Sequence, residues 1–311
     1  MNNHSQIDQE YKKNPDIRPE DIRKLREWLS TQPHLPGEHL TDLDLIVTYH
    51  CCDRSPEVAK QVLDLHFTLR TLFTAFFKDR VVDQKLEAAM DTLLITPLST
   101  RTGGGYKALY GRLLNPDPRY YNFNDMIRLF MMLFDLMQYQ EGTWPGFVII
   151  IDMDEAVVGH LAKLEIMSIR QVLYFVQEAM LVKLKEVHFI NAPHFMDKLM
   201  MMLRPFMKKA LLDIIYIHQV GSDTLDKFVP KKALPKESGG EEKDRINDVL
   251  QLFKDNQEFF AKENLRRVNE ALRPGGKPAT VESLFGIQGS FKNGFSGHYG
   301  HSPRCCGKFE H

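Results

Sequence analysis

Two carboxylates separated by one residue are the sharpest chemical signal in this chain. Asp152-Met153-Asp154-Glu155 directly follows the bare apolar run Phe147 to Ile151. The acids therefore stand at the carboxyl end of a buried strand, where a magnesium-dependent phosphatase keeps a nucleophile, a proton donor and its metal. That chemistry wants Thr or Val two residues past the second Asp, and Ala156 stands there. It also wants a further acidic pair at the end of a later strand, but Ile214 to Ile217 runs into His218-Gln219. The acids read better as groups that close a buried strand and cap the segment after it. No catalytic residue is expected, and a magnesium-dependent hydrolase using Asp152 and Asp154 stands as the rival reading.

Other chemical patterns are weaker. Gly103-x-Gly105-x-x-Ala108 matches a relaxed dinucleotide fingerprint, yet a proline turn precedes it and a strand follows, so no helix N-terminus receives a pyrophosphate. HExxH, the Walker loop and GxSxG are missing from the sequence. His298, His301, Cys305, Cys306 and His311 carry metal-ligating types, but the thiols are adjacent and no apolar framework surrounds them. Neither a metal nor a cofactor is expected. His188 and His218 read as satisfied core groups inside strands. The pairs Lys183 with Lys185 and Lys208 with Lys209 could border one mouth and meet lipid phosphates.

The composition narrows the classes. The chain has 311 residues and a formal charge of -1. It is long enough for one large or two modest domains, and nothing global draws it to nucleic acid or an anionic membrane. The first thirty residues lack an apolar stretch of signal-peptide type, and no later stretch reaches the roughly 18 uninterrupted apolar residues of a membrane span. A cytoplasmic location is expected. The four cysteines form two adjacent pairs, Cys51-Cys52 and Cys305-Cys306, which suits reduced thiols.

The elements that would position these groups follow from periodicity. Residues 1 to 16 are polar and expected to fray. A helix over Ile17 to Trp28 has Pro19, Glu20 and Asp21 in its first turn; a second begins at Thr41-Asp42; a third, capped by Ser55 with Pro56 next, runs to about Phe77. These make a small helical domain over 17–85. Leu86 to Ile95 is predicted as a helix ended by Thr96-Pro97, and Tyr106 to Leu114 as a strand. Asn122 to Met137 carries Met126, Leu129, Phe130, Leu133 and Met137 on one helical face. Phe147 to Ile151 reads as a buried parallel strand. A helix through Val172, Phe175, Val176, Ala179 and Met180 comes next, then strands Val187 to Ile190 and Ile214 to Ile217 on either side of another helix. The alternation predicts an α/β domain over 86–245 with a mainly parallel sheet flanked by helices. One long amphipathic helix is predicted from Arg245 to Leu272, a docking segment near Leu284-Phe285-Gly286 closes 246–290, and residues 291–311 are expected to be disordered.

One of these helices is unusually apolar. In Phe195 to Met207, Phe195, Leu199, Met202 and Phe206 recur at helical spacing, Met196, Leu203 and Met207 widen the stripe, and Asp197, Lys198 and Arg204 are nearly all that remains of a polar face. Five of the fourteen methionines lie here, and methionine suits irregular or exchangeable apolar contents. The stretch reads as a lid over a hydrophobic cavity, with a plain core helix as the alternative.

Gly146 to Asp152, then Asn191-Ala192-Pro193, Pro205-Phe206 and Leu234-Pro235-Lys236-Glu237-Ser238-Gly239-Gly240 resemble in order the CRAL-TRIO lipid-transfer family. Asp21-Ile22, Leu25, Trp28 and Pro33-His34-Leu35-Pro36 resemble its N-terminal helical domain, and Ser283-Leu284-Phe285-Gly286 with Gly289-Ser290-Phe291 extends the likeness to about residue 290. Within that family the pattern is most similar to insect-type members related to alpha-tocopherol transfer protein and cellular retinaldehyde-binding protein. The resemblance implies a monomeric, non-enzymatic carrier that holds one hydrophobic small molecule, a tocopherol, retinoid, carotenoid or other isoprenoid, between sheet and helices, under a mobile gate helix that opens at a membrane surface. The gate maps onto Phe195 to Met207. Pocket walls would comprise Leu129, Leu133, Phe147, Ile149, Ile151, Val172, Phe175, Val176, Met180, Leu184, Val187 and Phe189; strand alternation and helix spacing separately group most of these on common faces. Tocopherol-transfer relatives bind phosphoinositide through basic residues beside the gate. Lys183 and Lys185 match two such positions, whereas Ala210 and Ile214 fall where others are basic and Tyr49-His50-Cys51-Cys52 replaces an arginine-rich run. A lipid-sensing trafficking adaptor is a further alternative.

Overall fold

The computed structural model describes residues 3–241, 246–275 and 278–286. The chain opens with a helix, α1 (Asn3–Lys13), where the polar composition suggests fraying. Long-range polar contacts hold it: the buried Glu10 carboxylate accepts from Thr143 N at 3.1 Å and Oγ1 at 2.6 Å, and Lys13 Nζ donates to Glu141 O at 2.6 Å. None of these partners is visible in a local pattern. α2 (Pro19–Ser30) and α3 (Asp42–Cys51) come next, the latter capped by Thr41 and Asp44 in a reciprocal box. α4 (Pro56–Leu72) is capped by Ser55 and breaks at Phe73 before the short α5 (Thr74–Phe77), in place of one helix running to Phe77. Ile22, Leu25, Leu29, Leu45, Ile46 and Val62 form the core of this helical part. The opposite side of α4 sends Leu65 and Leu69 into the main core, so one helix stitches the two cores together.

α6 (Gln84–Thr92) stops earlier than its apolar spacing predicts, because Leu93–Pro97 leaves the helix to become strand β1, pairing antiparallel with β2 (Lys107–Leu113). That pairing is tertiary and overrides local helix preference. α7 (Phe123–Glu141) starts at the Asn122 cap and leads to β3 (Phe147–Asp152), α8 (Ile166–Glu178), β4 (Leu184–Ala192), α9 (Met196–Leu203), the one-turn α10 (Lys209–Leu212) and β5 (Ile215–Gln219). The five strands lie in the order β1-β2-β3-β4-β5, with β2 to β5 parallel. The fold is α/β, as the alternation of elements predicts.

Both faces of the sheet are covered, which is why β3 is apolar without alternation. Val148 and Ile150 face a rear core with Leu94, Ala108, Tyr110, Leu225, Val229 and Leu234. The irregular segment through 220–240 supplies much of that cover, and its paired glycines have a steric cause. Gly239 has φ +78°, and a Cβ on Gly240 would collide with Leu234 O. The predicted long C-terminal helix is two helices, α11 (Ile246–Asp255) and α12 (Gln257–Leu265), broken at Asn256 and ended before Arg266. Beyond the break, Arg267 donates to the carbonyls of Arg70 and Phe77, and Arg266 pairs with Asp44 at 2.8 Å. These bonds require an extended chain rather than more helix. The short α13 (Val281–Phe285) packs against the main core through Leu284 and Phe285. The tail histidines and cysteines, and Gly289-Ser290-Phe291, lie outside the described residues. No helix among the described residues is long and apolar enough to cross a membrane.

Candidate functional site

The front face of the sheet does not meet its helices across a filled core. A cavity of about 330 Å³ lies between them. Its floor is made by the alternating positions of the strands: Leu93 and Ile95, Leu109, Gly111 and Leu113, Ile149 and Ile151, Val187 and Phe189, and Ile215. α7 contributes Phe123, Met126, Ile127 and Phe130 from one side, and α8 contributes Ile169, Val172, Leu173 and Val176 from another. Gly111 deepens the floor, since a Cβ there would meet only Leu94 O at 3.7 Å and Ile95 Cγ1 at 3.8 Å.

α9 and the turn after it close the remaining side. Phe195, Leu199, Leu203 and Met207 recur every fourth residue and all line the cavity. The opposite face carries Asp197, Lys198, Met201, Arg204 and Pro205, all exposed, with Met201 at 68 %. At the far end of this cover, Gln177 of α8 donates through Nε2 to Phe206 O at 2.9 Å and accepts through Oε1 from Lys208 N at 2.7 Å.

Of the twelve wall positions expected from the sequence, Ile149, Ile151, Val172, Val176, Val187 and Phe189 line this cavity. Leu129, Leu133, Phe147, Phe175, Met180 and Leu184 do not; they are packed in the main core. Periodicity gives a face but not how far along it the hollow extends. Phe147 shares its strand face with Ile149, yet it stacks on Trp144 at 5.5 Å and meets Phe134 edge-on at 5.2 Å, so aromatic rings fill that end of the sheet. Phe175 is turned onto His66 and Phe77. Of the six cover positions, Met202 and Phe206 are half-buried and do not reach the cavity. The wall residues that sequence reading passed over are mostly on β1, β2 and the front of α7. Alternation from Leu109 through Leu113 would have identified the β2 set, whereas β1 was hidden by its helical spacing.

Three of the four lysines have an acidic partner. Lys183 is drawn to Asp53 at 2.5 Å, Lys208 to Glu178, and Lys209 to Asp213 at 2.6 Å, while Lys185 runs alongside Gly146.

Asp152 is fully engaged. Its Oδ2 accepts from Tyr110 OH and Ser238 Oγ, each at 2.6 Å, and its Oδ1 accepts from Asn191 Nδ2 at 2.9 Å and Asp154 N at 3.0 Å. Burial, and then the Asp152 carboxylate, push the Tyr110 hydroxyl above its usual range, so it remains a donor. Asn191 takes the left-handed φ of +51° that asparagine tolerates, which aims its amide at Asp152. Asp154 turns outward to Arg112 at 3.6 Å. The carboxylate works as a staple joining β2, β3, β4 and the rear segment, with its oxygens committed to protein donors. Among the described residues no three His, Cys, Asp or Glu side chains are grouped to hold a metal. His188 and His218, with ring nitrogens 3.0 Å apart, are held between Glu186 and Thr224 behind the sheet.

Besides Asp152, the cavity is lined by Tyr110, Arg112, Tyr121 and His160, none of which sequence reading singled out. Tyr121 and His160 both line it, their rings meeting edge-on at 5.0 Å. Burial raises the Tyr121 hydroxyl to about 12 and lowers the His160 imidazole, so both are neutral near pH 7.

The CRAL/TRIO domain model matches residues 96–240, and the Pinta-like UBA domain model matches 14–86. Clavesin-1 from Xenopus laevis is 26% identical over 234 residues, covering 74% of this chain and 70% of that protein. Clavesin-1 from Mus musculus is 26% identical over 234 residues, 74% of this chain and 66% of its own length, and Clavesin-2 from Homo sapiens is 25% identical over 74% of this chain and 71% of its own. The crystal structure of Sfh5 aligns over 75% of this chain and 77% of its own at 14% identity, with a TM-score of 0.42.

Proposed function

The chain carries a CRAL/TRIO domain over residues 96–240, and from that premise we propose that it binds one hydrophobic lipid in the cavity beneath α9 and transfers it between membranes. The observation that carries this reading is an apolar hollow of about 330 Å³ closed by a helix with an apolar ladder inside and a largely polar face outside. A ligand burying roughly 400 Å² there gains on the order of 10 kcal/mol gross, at about 25 cal/mol per Å². Association and ordering costs remove several of these. Strong polar contacts are therefore not needed for holding the lipid.

Release needs an exit. α9 is the element suited to open as a gate, because its inner ladder can exchange the ligand's hydrocarbon for that of a bilayer. The exposed Met201, flanked by Lys198 and Arg204, gives its outer face a means of touching a lipid surface. The cargo class is a tocopherol, retinoid, carotenoid or other isoprenoid, since an apolar wall selects by shape and only weakly between near-isosteres. The protein works as a monomer in the cytoplasm, touching membranes transiently, and does no chemistry on its cargo.

Transfer between donor and acceptor vesicles tests this reading. Wild type should accelerate transfer of a fluorescent isoprenoid, and Phe195→Asp with Leu199→Asp should abolish the acceleration. Equal rates with and without wild-type protein would refute it, and ligand binding without transfer would make the protein a sensor rather than a carrier.

A further inference from the structure

We infer that the cavity takes a ligand whose hydrocarbon body ends in one neutral oxygen function, a hydroxyl or carbonyl, and that His160 Nε2 donates a hydrogen bond to that oxygen; the inference rests on the carrier reading above. His160 lies in the 3-10 turn Val158–Lys163 after β3, on the cavity wall, and is 5 % exposed. Its Nδ1 is taken by its own turn, 3.0 Å from Val157 N and 3.1 Å from Val157 O. Val157 O already accepts from His160 N at 3.0 Å, whereas the Val157 N–H is aimed at Nδ1. This network assigns Nδ1 as the acceptor and places the ring proton on Nε2.

That Nε2 is buried and has no hydrogen-bond partner among the described residues. Buried polar groups are nearly always satisfied, and an unpartnered donor on the wall of a hollow asks for an acceptor from the hollow's contents. His188 shows the contrasting case, with a partner on each ring nitrogen. Arg112 Nη1 is also buried without a partner. Arg112 also lines the cavity, but its guanidinium lies 3.6 Å from the Asp154 carboxylate, so its charge is already faced by an acid. With the ring neutral, the wall mostly hydrocarbon and the Arg112 charge faced by Asp154, a neutral oxygen is favoured over a carboxylate. Tyr121, edge-on to the same ring, lines the cavity beside this donor.

Farnesol and farnesene, an alcohol and a hydrocarbon on one carbon skeleton, provide the test. His160→Asn keeps an acceptor for the Val157 N–H but removes the donor at Nε2, and His160→Gln places an amide near that position. Wild type should bind both ligands. His160→Asn should weaken farnesol about ten-fold while leaving farnesene unchanged, and His160→Gln should retain the preference for the alcohol. Farnesol affinity equal in wild type and His160→Asn would overturn the inference alone. Equal loss of both ligands in both variants would overturn it by making His160 a structural residue. No binding of either ligand to wild type would overturn the carrier reading and the inference with it.

Discussion

Tyr110 donates its hydroxyl to Asp152 Oδ2 at 2.6 Å from the neighbouring strand, with Ser238 donating to the same oxygen at 2.6 Å from behind the sheet. The bond turns the most enzyme-like acid in the chain into a structural tie. Tyr110→Phe keeps the ring and deletes one donor to a buried carboxylate. It should lower unfolding free energy in urea by about 1–3 kcal/mol and leave ligand uptake unchanged. Phosphatase turnover with magnesium that is lost in Asp152→Asn would contradict this role.

Asp135 is held by two guanidinium groups, accepting from Arg70 at 2.6 Å and from Arg80, while Glu263 of α12 accepts from Arg70 at 3.0 Å. The network joins α4, the segment after α5, α7 and α12. Burial alone would raise Asp135, but the two arginines outweigh it and hold the acid at about 2. A depressed carboxylate stabilises the fold above its unfolded value of 3.8 and loses that stabilisation as pH falls toward about 2. Asp135→Asn strands buried cations and should cost about 3–5 kcal/mol at neutral pH. Unfolding curves measured on both proteins down the acid range should converge.

His66 is buried with Nδ1 2.7 Å from Ala179 O, and burial followed by nearby Arg70 lowers it from 6.5 to about 3. The folded state therefore stays neutral where the unfolded chain takes up a proton, so stability is full above 6.5 and declines as pH falls toward about 3. From neutral pH to about pH 5 the loss should approach about 2 kcal/mol. Chemical denaturation of His66→Asn across that interval should show a flatter dependence. An unchanged slope would mean that His66 is not the group responsible.

Gln177 bridges Phe206 O and Lys208 N with the two ends of one amide. Gln177→Leu should release the end of the cover without touching its apolar ladder. Amide exchange should rise at residues 203–208, and a bound fluorescent lipid should leave several-fold faster. Unaltered exchange there would show that the Gln177 bridge is not what holds this end closed.

Much of the fold was readable in the sequence. Pro19 and Pro56 at first helical positions, the caps at Thr41, Ser55 and Asn122, and the bare run of β3 each act through near neighbours, so local pattern gave the elements. Gly239 and Gly240 marked their segment because the chain passes within contact of Leu234. The features that escaped were decided by distant partners. Leu93 to Ile95 has helical spacing until β2 offers hydrogen bonds, and α1 is held by Thr143 and Glu141. Phe147 and Ile149 have the same pattern, yet rings from Trp144 and Phe134 fill one position and leave the other facing a hollow. His160 gave no signal in sequence, because its distinguishing feature is a nitrogen left without a partner after folding.

Native mass spectrometry of wild type and Gly111→Leu, each incubated with lipid vesicles and then separated from them, tests the hollow interior most directly. Glycine inside a strand is the weaker choice by roughly 0.5–1 kcal/mol relative to alanine, and ordinary space surrounds a Cβ at this position, so the variant should fold while its side chain occupies the cavity. The predicted result is one lipid per wild-type chain and none on Gly111→Leu at equal thermal stability. Wild type emerging without lipid, or both proteins carrying the same amount, would contradict the account.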